Sequence, residues 1–292
     1  MENQVKKTII PAGGFGTRFL PLSKVVSKEL LPLVDEPMIA HIVREAVFSG
    51  MSDVIFVLPP NKKSTLDYFK SKPALENLLK KANKKDLLNT IEKIQQETEN
   101  TNISYVTQTI PRGDGDAVLK AEKKIGNHPF AVAFCDDIFV SKKPAIEQLK
   151  KIYETSNNPV IGLKKVTQDK VSSYGTAKVE KIAKRLYKIK GIIEKPTIAE
   201  APSDLVFCGR YVFTPEIFKY IKKTAPNKKG EIILAESLKN MLGDGKIIYG
   251  YELEGEWLEC GKKEDWIKSN LYLTLKHPKY GPMVKEYLKK MK

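Results

Sequence analysis

Ile9-Ile10-Pro11-Ala12-Gly13-Gly14-Phe15-Gly16-Thr17-Arg18 is the stretch that decides the reading of this chain, and Lys28-Glu29-Leu30-Leu31-Pro32 follows close behind. A short apolar strand (Thr8, Ile9, Ile10) runs into a glycine-rich turn, and the turn ends on an arginine. Glycine has no Cβ, so backbone N–H groups there can close on phosphate oxygens. Arg18 and Lys28 supply the charge a triphosphate needs. The plainer alternative is a tight turn with two solvated cations. Two better-known phosphate loops fail on residues. A dinucleotide fingerprint needs a third glycine where Phe19 stands, and a Walker loop needs Gly-Lys-Ser/Thr.

Outward from that stretch, 292 residues with 41% hydrophobic content suffice for a substantial core in an ordinary globular protein. No apolar run approaches the roughly 18–20 residues of a membrane helix, so no membrane association is expected. Met1-Glu2-Asn3-Gln4 carries no signal-peptide pattern. Cys135, Cys208 and Cys260 are odd in number and far apart, which points to a reducing cytoplasm. The formal charge of +15 raises nucleic-acid binding. The lysines are spread along the whole chain, and no basic block is interleaved with aromatics. An anionic substrate and solvated helix faces account for them, and no nucleic-acid partner is expected.

The first half alternates strand and helix. Pro37 suits the first turn of a helix whose Ile39, Ile42, Val43, Ala46 and Val47 share one face, and Gly50 stops it. Val54 to Leu58 is a continuous apolar run, as in a buried parallel strand. Ser64 is placed to cap a short helix with Leu66 and Phe69. A lysine-rich helical insertion spans about 74–97. Ile103 to Thr107 is a strand, the segment from Pro111 to Asp116 a loop, and a helix starts near Ala117. Phe130 to Phe134 is a strand ending at Cys135-Asp136-Asp137. A helix over 144–154 and a strand from Val160 to Leu163 follow. The second half is richer in β, with strands near 177–180, 188–193, 207–213 and 247–253 and helices over 215–222 and 231–242. A helical tail covers about 265–292. The reading is a single α/β domain over 1–292. Its Rossmann-like central sheet is mixed, mainly parallel and flanked by helices, with a β-rich second half.

Asp136 and Asp137 follow the carboxyl end of a strand, where open α/β sheets bind ligands. A carboxylate there can hold Mg²⁺ against phosphate oxygens; a polar turn is the alternative. Gln108 ends another strand and offers a base edge both a donor and an acceptor. Glu194 could hold sugar hydroxyls and Lys195 a sugar phosphate, and the Gly175 N–H could reach a hydroxyl. Each of these pairs alone is equally a surface feature; their order along the chain carries the argument.

The order is Gly-Gly-Phe-Gly-Thr-Arg, Lys-Glu-Leu-Leu-Pro, Gln108, Asp136, Tyr174-Gly175, Glu194-Lys195-Pro196, Gly209-Arg210-Tyr211 and Cys260-Gly261. It resembles the sugar-phosphate nucleotidylyltransferases over nearly the whole chain, and among them the bacterial UTP–glucose-1-phosphate uridylyltransferases. The resemblance implies a nucleotidyltransferase fold with a sugar-binding second half, and transfer from UTP to glucose 1-phosphate with release of pyrophosphate. It implies that Ala12, Gly13, Gly14, Gly16 and Thr17 embrace the nucleotide, and that Gln108 and Gly113 read uracil. Arg18 and Lys28 would hold the triphosphate, and Asp136 with Glu259 would face Mg²⁺. Gly175 and Glu194 would grip glucose hydroxyls, and Lys195 its phosphate. A cytoplasmic homodimer or homotetramer is also implied. The chain departs from the family's pattern at Asp114 and Asp116, where leucine and histidine are usual, at Glu259 in place of aspartate, and at Glu36 in place of lysine. Two alternatives therefore accompany this reading. One is a glucose-1-phosphate thymidylyltransferase or another sugar-1-phosphate enzyme. The other is an impaired homologue that binds sugar nucleotides. Glu36 is expected to be a surface change of little consequence.

Overall fold

The apolar runs assemble into one nine-stranded mixed sheet in a computed structural model, which describes residues 4–291. In chain order the strands are β1 (Lys7–Pro11), β2 (Pro32–Leu33), β3 (Glu36–Pro37), β4 (Asp53–Leu58), β5 (Asn102–Thr107), β6 (Phe130–Ala133) and β7 (Asp137–Val140). They continue with β8 (Val160–Lys165), β9 (Gly175–Ala183), β10 (Leu186–Glu194), β11 (Leu205–Phe213), β12 (Tyr249–Glu252) and β13 (Glu256–Glu259). The sheet runs β5-β4-β1-β6-β11-β8-β12-β10-β9, while β2 pairs with β3 and β7 with β13.

β1 lies between β4 and β6 and is parallel to both, with Ile10 opposite Phe56 and Ile9 opposite Val132. β5 joins β4 in parallel. β11 then runs antiparallel to β6 and β8, β12 is parallel to β8, and β9 and β10 form an antiparallel pair. Thr8–Pro11 and Val54–Leu58 are buried throughout because helices cover both faces of these central strands. Ile10 and Phe56 pack with Ile39, Ile42 and Val43 of the helix Met38–Phe48. Their neighbours Ile9 and Ile55 belong to the opposite core, with Val118, Ile217 and Ile221.

Local readings changed where tertiary contacts override propensity. Pro37 is extended and pairs with Pro32, so it caps the helix rather than entering it. Ser64 sits inside the 3-10 segment Pro60–Phe69 and caps nothing through its side chain. The insertion is a helix pair, Pro73–Lys81 and Lys85–Thr98. The helix expected near Ala117 starts at Gly113, and the one expected from Glu231 starts at Leu234. Glu231 and Ile232 dock instead against Gly113–Gly115: Ile232 N–H donates to Arg112 O (2.7 Å), and Gly115 N–H to Ile232 O (2.9 Å). The tail is two helices, Lys263–Lys276 and Gly281–Lys290, broken around Pro278. Among the described residues no helix is long and apolar enough to cross a membrane.

Candidate active site

β1, β5 and β6 run side by side or nearly so in the sheet, and their carboxyl ends open on one cleft of about 350 Å³. Ala12, Gly13, Gly14 and Thr17 line it after β1, Gln108 and Gly113 after β5, and Asp136 after β6. Lys28, Glu29 and Asp114 are also in its wall. A larger cavity of about 500 Å³ lies around Arg44, away from these strand ends. Its charges are spent on each other: Arg44 binds Glu36 through both Nη atoms (2.7 Å each) and Glu97 through Nε (3.0 Å). Glu36 is therefore an ion-pair partner rather than an inconsequential surface change. Hydrogen bonding to Arg44, against the cost of burial, holds its carboxyl below the usual value.

The glycine loop is tethered from below. Gly16 has φ +64°, and a Cβ on it would stand 3.3 Å from both Lys28 Cβ and Ser23 Cβ. Lys62 donates to Gly14 O (2.6 Å) and lies 3.3 Å from Glu29 Oε2. Glu29 is fully buried, and its Oε1 finds no partner among the described residues. Nothing in the sequence around Pro59-Pro60-Asn61-Lys62 marks Lys62 as part of the site.

After β5, Gln108 is buried and its Nε2 donates to Asp116 Oδ2 (2.7 Å). The two departing aspartates thus have structural partners. Asp114 Oδ1 accepts from Gly115 N–H (2.8 Å) and from Leu234 N–H (2.9 Å), satisfying one orphan donor at the start of the helix Leu234–Gly243. Burial pushes Asp114 up to about 6. Gly113 has φ +92°, and any Cβ there would meet Ile232 O at 2.5 Å, so the docking requires glycine.

Lys28 Nζ rests on Asp136 Oδ2 at 2.8 Å. Burial opposes both charges, but each is held ionised by the other: the Asp136 pKa falls and the Lys28 pKa rises. Arg18 adds to the potential on Asp136, and a Cβ on Gly261 would lie 3.2 Å from Asp136 Oδ2 and 3.7 Å from Arg18 Nη1. Asp137 turns inward, accepting from Trp257 Nε1 (2.7 Å). Burial and the adjacent Asp136 charge push it up to about 7.

Glu259 pairs with Asp137 across β13 and β7, and its Oε1 accepts from the Tyr174 hydroxyl. Cys260 N–H bonds Asp136 O at 2.7 Å, so the two carboxylates expected to face a metal stand on neighbouring strand ends. Among the described residues no cluster of three or more His, Cys, Asp or Glu could hold a metal ion. Hard oxygens from one or two carboxylates suit Mg²⁺, which takes its remaining ligands from water and phosphates. Cys135 borders the cleft, but burial pushes its thiol up, away from nucleophilic form.

The sugar candidates lie beside the cleft rather than in its lining. Gly175 approaches Glu194 so closely that a Cβ would meet Glu194 Oε2 at 2.9 Å. Lys195, an unusual non-glycine at φ +47°, donates its N–H to Tyr174 O (3.1 Å) and holds Nζ 3.2 Å from Glu194 Oε1. The Glu194 charge also adds to the upward push on the Asp114 pKa. Beneath the carboxylates, fully buried Arg210 binds both oxygens of Glu45 (2.9 Å each) and the carbonyls of Phe134, Gly209 and Asp137. An arginine within the apolar run 205–213 was the available signal, because a buried guanidinium must be paired.

Residues 7–275 match the family described as nucleotidyl transferase. The chain belongs to that family. A UTP–glucose-1-phosphate uridylyltransferase of Staphylococcus haemolyticus is 39% identical over 288 residues, covering 99% of each protein. The nucleotidyl transferase fold superposes on a UTP-bound UGPase from Acinetobacter baumannii with TM-score 0.92 and 33% identity, covering 99% of this chain and 100% of that one. A UDP-glucose pyrophosphorylase complexed with UDP-glucose gives 0.83 and 36%, over 94% of this chain and all of the other. A putative glucose-1-phosphate thymidylyltransferase from Bacillus anthracis stands further off, at 0.70 and 25%, over 91% and 94%.

Proposed function

We propose that this nucleotidyl transferase makes UDP-glucose and pyrophosphate from UTP and glucose 1-phosphate. The observation that carries the reading is the meeting of the glycine loop, Lys28 and Asp136 at adjacent strand ends, with Gln108 against Gly13 in the same cleft. The full-length similarity to uridylyltransferases supports the choice of nucleotide and sugar.

A phosphate oxygen of glucose 1-phosphate attacks the α-phosphorus of UTP in line. The bond to the bridging oxygen of the β-phosphate breaks, and pyrophosphate departs. The attacking oxygen is already anionic, so the chemistry needs no general base and no Ser, Cys or His nucleophile. Its obstacle is repulsion. Two unit charges about 4 Å apart repel by roughly 4 kcal/mol at an effective dielectric near 20. Arg18 and Lys28 counter the triphosphate, and Lys195 holds the sugar phosphate. Gly13 and Gly14 offer backbone N–H groups, Gln108 and Gly113 meet the base, and Gly175 and Glu194 meet the sugar hydroxyls. Asp136, with Glu259 beside it, would hold Mg²⁺, which supplies charge neutralisation when bound.

We also read the chain as one domain, since both halves contribute strands to one sheet, and as a cytoplasmic protein with buried free thiols. Exposed Leu75, Leu78 and Leu87 on the insertion support a homodimer or homotetramer, which sedimentation would test. The deciding experiment is pyrophosphate release with glucose 1-phosphate, Mg²⁺ and each of UTP, dTTP, ATP, CTP and GTP. A UTP preference upholds the proposal, and a dTTP preference replaces the nucleotide. Silence with every nucleotide and sugar phosphate favours an impaired binding protein.

A further inference from the structure

Gln108 is not free to choose which end of its amide it offers. Its Nε2 lies 2.7 Å from Asp116 Oδ2 and 3.4 Å from Gly113 O. Both partners are acceptors, so both amide hydrogens point back into the protein. The reverse orientation would set the amide oxygen against a carboxylate and a carbonyl. Oε1 is therefore the atom left for the cleft, and it lies against Gly13, whose added Cβ would stand 2.6 Å away. Asp116 does not line the cleft. It is 4% exposed, sits one layer behind, and is braced by Lys120 Nζ at 3.5 Å from its Oδ1.

We propose that Asp116 is a positioning residue that fixes Gln108 Oε1 toward the nucleobase, so that the site selects pyrimidines with a protonated ring nitrogen and rejects cytosine. This rests on the reading that Gln108 meets the base. The N3 of uracil or thymine carries a hydrogen and donates to Oε1. The N3 of cytosine is an acceptor, and against Oε1 it leaves two acceptors facing each other in a buried site. A mispaired polar group there is far costlier than a lost apolar contact. A glutamine free to turn would offer its NH₂ to cytosine and lose the discrimination.

The test is a set of Asp116→Asn, Asp116→Ala, Gln108→Ala and the Gln108→Ala/Asp116→Asn double variant. Each is titrated with UTP and with CTP by calorimetry and then assayed for kcat/KM with both. In Asp116→Asn the new side chain has nearly the same shape but turns either an oxygen or an NH₂ toward Gln108, which frees the amide to flip. The UTP-over-CTP ratio is expected to fall about tenfold or more in Asp116→Asn and Asp116→Ala, with the KM for glucose 1-phosphate unchanged. The double variant should discriminate no worse than Gln108→Ala, because Asp116 acts through Gln108. A ratio that holds in both Asp116 variants while Gln108→Ala lowers it overturns the role of Asp116 alone. A ratio that also survives Gln108→Ala overturns the base-reading assignment and the inference with it. A proportional loss with both nucleotides marks Asp116 as merely structural and overturns the inference too.

Discussion

Glu45→Gln is expected to destabilise the fold by about 3 kcal/mol, at the lower end of the roughly 3–5 kcal/mol for breaking a buried ion pair. Arg210 is wholly buried and Glu45 nearly so, with two bonds of 2.9 Å between them. The substitution keeps the shape and one good acceptor but removes the charge that neutralises the guanidinium. Burial disfavours that guanidinium, and Glu45 is the largest influence holding it charged. Glu45 Oε1 also accepts from Ile146 N–H at 3.1 Å, near the start of the helix Ala145–Ser156. For a chain of this size about 3 kcal/mol corresponds to a fall in Tm of roughly 6–12 °C. Arg210→Met should cost more, because it orphans the Glu45 carboxylate and the carbonyls of Phe134, Gly209 and Asp137 together. For the same reason Glu45→Leu with Arg210→Met should recover only part of the loss. Urea unfolding followed by circular dichroism, with equal m-values, measures all three. A Glu45→Gln unfolding free energy within about 1 kcal/mol of the parent's would refute the reasoning, since Asp137 would then suffice to neutralise Arg210.

Asp114→Asn keeps an oxygen for the Leu234 and Gly115 N–H groups but removes the charge. Burial raises Asp114 from 3.8 to about 6 in the folded chain, so the folded state holds its proton longer and native stability falls as pH rises through that window. The advantage of Asp114→Asn over the parent should therefore grow from pH 4 to 6 and level off above; a pH-independent gap in urea midpoints contradicts this. Lys62→Met releases the Gly14 carbonyl and leaves Glu29 buried without its cation. The KM for UTP should rise several-fold while that for glucose 1-phosphate holds, and equal rises in both would remove Lys62 from the nucleotide loop. Lys195→Ala should raise chiefly the KM for glucose 1-phosphate, and an unchanged value would reject its assignment to the sugar phosphate.

Elements whose reasons are local were legible from sequence. The run Val54–Leu58 is apolar because both its faces are covered, and that run is β4. Glycine after β1 announced the loop, where Gly16 sits at φ +64° and a Cβ on Gly13 would meet Gln108 Oε1 at 2.6 Å. What escaped depended on partners distant in sequence. Gly-Asp-Gly-Asp reads as a turn, yet it opens the helix Gly113–Lys120 because Ile232 and Leu234 bind its backbone and its first aspartate. The pair β7 and β13 escaped because each is four residues long and pairs only with the other, outside the nine-stranded sheet. In the site, the residues that line the cleft after β1, β5 and β6 were readable, whereas Lys62, Glu45 and the hydroxyl of Tyr174 act through contacts that span 48, 165 and 85 positions.

The layer behind Gln108 bears on how relatives of this chain should be compared. Two such proteins can share every side chain that touches the base and still prefer different nucleotides, if the residue behind the glutamine turns its amide the other way. Specificity of this kind is inherited through the backing rather than the contact. A search for altered nucleotide use, in nature or in a mutant library, should therefore vary position 116 before position 108.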